Sequence, residues 1–204
     1  MRDHDDNLYQ QKSPIPPAHQ EVSSTTFGAV SAWATPPKTT VRLGRMADLI
    51  ALGHLLHEAH MASRYRDLPM DVGAFKRDCM VAMRSPRQQL WVAERQGEVV
   101  GALVAVTSRV YGWSPAKVAT DIFFYVTQEG RGSGTTLLRR FLDWAASFPD
   151  VVTVVLQTGV GIYDDHRVER LYEAFGMEAT GQIYQLWLQD NKKLFGGSTM
   201  DSPT

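Results

Sequence analysis

Three glycines at alternate positions, Gly130, Gly132 and Gly134, stand between an apolar run that ends at Val126 and an amphipathic run that begins at Thr135. A strand that turns into a helix through such a loop leaves the first backbone N–H groups of the helix without partners, at the positive end of its dipole. Glycine lets an anion approach those groups with no Cβ in the way. The loop is therefore suited to a diphosphate, with Arg131 adding charge. The dinucleotide fingerprint G-x-G-x-x-G does not fit the spacing, and no Gly-Lys-Ser/Thr follows as a nucleotide P-loop requires. The plain alternative is a flexible strand-to-helix turn, and spacing alone does not separate the two.

The rest of the chain sets that loop in an alternating pattern. Val41–Leu43 reads as a short strand, and Asp48 as the cap of a helix to about His60, with Leu49, Leu52, Leu56 and Ala59 at helical spacing. A second helix carries Val72, Phe75, Cys79 and Met83 on one face and ends at Pro86. Gln89–Arg95 and Val99–Val106 form a hairpin about Gln96-Gly97-Glu98, and Val118–Val126 is a further strand. After the glycine loop, a helix turns Leu138, Phe141, Leu142 and Ala145 inward. Val151–Gln157 is a strand. A helix from Asp165 aligns Val168, Leu171, Tyr172 and Phe175, and Gly176 closes it. Gln182–Leu188 alternates as a last strand.

At 204 residues the chain is expected to hold one such domain, residues 40–188, between two tails. Residues 1–39 carry half of the ten prolines and are dense in Ser and Thr. They read as an arm that is disordered or bound to a partner, with Leu8, Tyr9, Phe27 and Trp33 as its anchors. Residues 189–204 read as a polar tail. Twenty-one Lys and Arg against twenty-two Asp and Glu argue against a nucleic-acid binder. No apolar run approaches the length of a membrane span, the start does not resemble a secretory signal, and the single cysteine, Cys79, excludes an intrachain disulfide. A cytoplasmic protein is expected.

Three segments together resemble the GNAT superfamily of N-acetyltransferases: Val41-Arg42-Leu43-Gly44-Arg45-Met46-Ala47-Asp48, then Phe124 to Leu138 with the glycine loop, then Asp165 to Met177. The match spans about residues 41–188. It implies an α/β fold with a mixed, mostly antiparallel central sheet, splayed parallel central strands and flanking helices. It also implies acetyl-CoA as cosubstrate and a primary amine as acceptor, attacked directly in a ternary complex. By the same resemblance, backbone groups of Phe124 and Val126 pair with the pantetheine arm. Those of Arg131, Gly132, Ser133, Gly134 and Thr135 hold the diphosphate, and Asp165 stands at a position where the family often has Asn. Tyr172 matches the tyrosine that protonates the leaving thiolate, a role that a phenol with a pKa near 10 can fill. Asp121 stands where some members carry a base acting through water, and strand alternation is expected to place it on one face with Phe123 and Tyr125. Its other reading is a solvent-facing carboxylate at a strand end. Glu129 replaces the Gln or Arg that the family prefers.

The acceptor wall is expected from Arg64 and Tyr65 in the loop between the first two helices, and from Arg109 and Tyr111 before the central strand. His54 and His57 share a helix face, but HExxH spacing is absent and no metal is expected. Cys79 reads as a core thiol. A second function of a different class is a GNAT-fold binding or structural component, docked by its N-terminal arm.

Overall fold

The computed structural model describes residues 38–158, 161 and 165–181. The predicted arm up to residue 37, the last strand (182–188) and the C-terminal tail lie outside the described residues.

Five strands form one sheet in chain order: β1 (Thr40–Leu43), β2 (Gln88–Arg95), β3 (Glu98–Arg109), β4 (Lys117–Val126) and β5 (Val151–Val155). The first four pair antiparallel, and β4 with β5 is parallel. The helices are α1 (Leu49–Ala62), α2 (Val72–Ala82), α3 (Ser133–Ala146) and α4 (Asp165–Glu173). This is the mixed sheet with flanking helices that the sequence implies. The parallel pairing runs only from Lys117↔Val151 to Thr120↔Val155, while β4 continues to Val126 and β5 stops at Val155. The two strands thus part beyond Thr120.

Two apolar clusters sandwich the sheet. Leu52, Leu55, Phe75 and Cys79 of α1 and α2 pack on Leu90, Val92, Ala102, Val104 and Tyr125. Leu137, Leu138, Phe141 and Ala145 of α3 pack on Trp91, Leu103, Ala105 and Ala119 from the other side. Each fully buried Leu or Phe contributes roughly 1.5–3 kcal/mol, so α3, with three such side chains at no measurable exposure, is firmly seated. Leu55, absent from the predicted stripe of α1, is buried there, whereas Leu49 and Leu56 are at its margin.

Asp48 does not cap α1 with its side chain. Its carboxylate instead accepts two hydrogen bonds from Arg42, at 2.8 and 2.9 Å, and one from the Arg45 backbone N–H at 2.7 Å. The Arg42 contacts, chiefly, hold Asp48 below the usual carboxylate range against the opposing effect of burial. The capping expected there is found on α2, where Asp71 accepts from the Ala74 N–H at 2.8 Å.

Candidate active site

The glycine loop lies where β4 runs out and α3 begins. Helix α3 starts at Ser133, two residues before the predicted start, and Gly132 at its N-terminal boundary has φ +94°. A left-handed backbone of this kind costs an L-residue roughly 1–2 kcal/mol, which glycine avoids. Among the described residues, a Cβ built on Gly132 would meet nothing within 4 Å, so none of them covers the loop on that side.

The three glycines have different duties. Gly130 is buried, and a Cβ there would overlap the carbonyl oxygen of Val100. Gly134 faces Leu171, Phe124 and Val126 at 3.9–4.0 Å, ordinary contact. Only Gly132 is clear. Gly130→Ala is accordingly expected to destabilise the fold by roughly 1–3 kcal/mol, read as a Tm several degrees lower in a thermal melt. An unchanged Tm would mean that the loop is not seated against β3.

The loop is held by its own bonds. Ser133 donates from its N–H and from Oγ to the Gly130 carbonyl, at 3.0 and 2.7 Å, and the Arg131 N–H donates to the Gln128 carbonyl at 3.2 Å. Of the five amides proposed for an anion, those of Arg131 and Ser133 are therefore engaged within the turn. Gly132, Gly134 and Thr135 sit at the start of the helix, whose first-turn N–H groups lack intrahelical partners.

Helix α4 completes the wall on the α3 side. Leu171 reaches Gly134, and Phe175 stacks under the Arg139 guanidinium at 5.3 Å. The helix ends as predicted at Gly176, φ +77°, where Gly176 N–H bonds Glu173 and Met177 N–H bonds Tyr172, the paired closure of a Schellman motif. This sets Tyr172 among the apolar side chains of the α3 cluster. Burial first, and then the charge of Asp121, push its phenol above the ordinary tyrosine range. Asp165 is the first residue of α4.

Asp121 does not share a face with Phe123 and Tyr125. The register jumps from Ala105↔Asp121 to Val104↔Phe123, so Ile122 is an extra residue in a β-bulge. Ala105 belongs to the α3 cluster and Val104 to the α1–α2 cluster. Asp121 therefore lies on the α3–α4 face with Tyr172, and Phe123 and Tyr125 on the opposite one. Desolvation raises its carboxyl from 3.8 to about 6.

The acceptor residues separate. Arg64 lies beside Gly161, 3.8–4.0 Å from the position of a Cβ there, so the α1–α2 loop meets the connection between β5 and α4 next to the parted strands. Its neighbour Tyr65 is fixed through its N–H to Ser63 Oγ at 3.1 Å. Arg109 pairs with Lys117 at the other end of β4, about 30 Å along the strand from the glycine loop. Arg109 and Tyr111 belong to that distant tip, where Tyr111 and Trp113 stack on each other with ring centres 5.8 Å apart. The structure thus brings Phe124, Val126, Gly134 and α4 together and leaves Arg109 and Tyr111 apart.

Three neighbours of the loop carry no sequence signal. Thr127 is buried, donates its N–H to the Val100 carbonyl at 2.9 Å and accepts the Gly130 N–H at 3.3 Å. Glu58 of α1 accepts from the Tyr125 hydroxyl at 2.8 Å, fixing the strand between Phe124 and Val126. Arg95 donates to the carbonyl of Glu129. Among the described residues, no group of three or more His, Cys, Asp or Glu is placed to hold a metal ion, and no helix is long and apolar enough to cross a membrane.

The arrangement of parted parallel strands, an open glycine loop on a helix N-terminus and helix α4 beside it defines an acyl-CoA-dependent transferase fold. The family model for GNAT acetyltransferases matches residues 51–177. The chain belongs to the GNAT acetyltransferase family, enzymes that use acetyl-CoA as the acetyl donor. Solved structures agree on the fold. A predicted acetyltransferase from Clostridium acetobutylicum, solved with acetyl-CoA, is 14% identical with a TM-score of 0.59, over 75% of this chain and 98% of that one. The aminoglycoside N-acetyltransferase AAC(6')-Iy, solved with CoA, is 14% identical with a TM-score of 0.58, over 76% and 98%. The glucosamine-6-phosphate N-acetyltransferase from Arabidopsis thaliana is 14% identical with a TM-score of 0.55, over 74% and 98%. A search of curated protein sequences returns no match.

Proposed function

We propose that the protein transfers the acetyl group of acetyl-CoA directly to a primary amine held where β4 and β5 part. The observation that carries this reading is the convergence at Gly134: the loop is open at Gly132, and a Cβ built on Gly134 would lie 3.9–4.0 Å from Phe124 and Val126 of β4 and Leu171 of α4. A diphosphate fits there because the helix start offers N–H groups and a clear approach, while Phe124 and Val126 lie on the strand that a pantetheine arm would follow. Asp165, at the start of α4, is a further proposed contact of the cofactor.

When bound, acetyl-CoA supplies an activated thioester carbonyl. The protein's share is to orient it and to move two protons. The amine nitrogen forms the new C–N bond as the C–S bond breaks. Tyr172 gives its phenolic proton to the departing sulfur, and Asp121 takes the proton released by the amine, through water. The backbone N–H of Val126 is the proposed donor to the carbonyl oxygen as charge develops on it. Arg64 and Tyr65 form the proposed acceptor wall. Arg109 and Tyr111 serve only an acceptor long enough to reach the strand tip. The aminoglycoside and amino-sugar acceptors in the names of two neighbours support an amine acceptor in general.

The pH dependence follows from Asp121. Its carboxyl is neutral below about pH 6 and ionised above it, so kcat/KM is expected to rise through that value. Between 3.8 and about 6 the folded protein binds more protons at this group than the unfolded chain does, so its contribution to stability falls as pH rises through the window. Asp121→Asn should remove the acidic limb of the rate profile and lower the plateau. A profile unchanged in Asp121→Asn would take Asp121 out of the reaction.

A further inference from the structure

The glycine loop carries a carboxylate, Glu129, beside the proposed diphosphate site, and a negative charge there opposes an anion. The structure shows how that charge is managed. Glu129 lines a cleft of about 480 Å³ on the α1 side, shared with Thr127, Asp48, His54 and Glu58. Arg95, the last residue of β2, half-buried and 34 residues away, crosses to the carbonyl of the same residue. Arg95 stands at the base of a two-residue turn with both positions left-handed, Gln96 at φ +54° and Gly97 at φ +85°, the geometry of a tight and well-registered hairpin. Thr127 and Gly130 are seated on Val100 of the returning strand. The hairpin and the loop are therefore joined at three points, of which Arg95 is the charged one.

We propose that Arg95 is a positioning residue for the cofactor, latching the glycine loop to the β2–β3 hairpin through the Glu129 carbonyl and neutralising the Glu129 carboxylate. The inference rests on the diphosphate reading of the loop. Arg95 brings to this residue, from another strand, a positive charge that Glu129 itself does not supply.

The test is calorimetric titration of acetyl-CoA into the full chain and into Arg95→Ala, Arg95→Gln, Glu129→Gln and the Arg95→Ala/Glu129→Gln double variant, each checked for a native melt. Arg95→Ala is expected to weaken binding about tenfold or more, the scale of a lost hydrogen bond to a charged group. Glu129→Gln should bind within about twofold of the wild type or tighter. The double variant should bind clearly better than Arg95→Ala, because the uncompensated charge is gone. Turnover at saturating acetyl-CoA should change little. A merely structural arginine would lower the melt without rescue by Glu129→Gln. Wild-type affinity in Arg95→Ala, or a double variant no better than Arg95→Ala, overturns the latch. If Arg95→Ala does not fold, Arg95→Gln is held to the same criteria, with a smaller loss expected because it keeps a donor. Absence of binding by the wild type itself overturns the diphosphate reading, and the latch with it.

Discussion

Gly132→Glu is expected to abolish acetyl-CoA binding while leaving the fold in place. Three effects act together at this position. The backbone is left-handed at φ +94°, so any Cβ adds roughly 1–2 kcal/mol of strain. The new side chain projects into the proposed approach of the ligand, since among the described residues nothing lies within 4 Å of that Cβ. Its carboxylate then meets the diphosphate at the positive end of the α3 dipole and competes for the same N–H groups. The open space is what makes the test clean: no packed neighbour is displaced, in contrast to Gly130, where a Cβ meets the Val100 carbonyl. The variant should therefore melt within a few degrees of the wild type and show no heat on titration with acetyl-CoA. Unchanged affinity would place the cofactor elsewhere.

Tyr172→Phe should lower kcat by about 10²–10³, within the usual range for a lost general acid, and leave the affinity for acetyl-CoA nearly unchanged. The ring is held in the apolar cluster of α3 and α4, so phenylalanine keeps the packing and removes only the hydroxyl. Burial and the nearby charge of Asp121 both favour the neutral phenol, which stays protonated throughout the neutral range. The same low polarity raises the basicity of a departing thiolate, so donor and acceptor remain matched. Measurement of thiol release under saturating acetyl-CoA and a reactive amine reads kcat directly. Equal turnover in the two proteins would assign the proton to another group.

The three segments that carried the family resemblance also carried the fold, and their local chemistry explains why. Gly132 and Gly176 announce themselves because a positive φ is hard for other residues, and the α3 stripe because its apolar spacing is unbroken. Asp121 was misplaced for the opposite reason. Alternation is a local rule, and a single inserted residue, Ile122, inverts it without a sequence signature. Asp48 was misread because a carboxylate before a helix suits a cap, and only the tertiary position of Arg42 redirects it. Arg95, Thr127 and Glu58 were invisible because their roles depend on pairings that no periodicity encodes. Arg109 and Tyr111 fell into a loop of suitable composition, and the length of β4 then carried that loop away from the cofactor end. The glycine loop and the closing turn of α4 are legible in the residues themselves, whereas the parting of β4 and β5 is implied only by the family resemblance.

Calorimetric titration of acetyl-CoA into the purified full chain tests the glycine loop as a cofactor site most directly. Binding in the micromolar range usual for enzyme substrates, lost in Gly132→Glu while both proteins melt alike, is the predicted result. No binding by the wild type, or equal binding by Gly132→Glu, would contradict it.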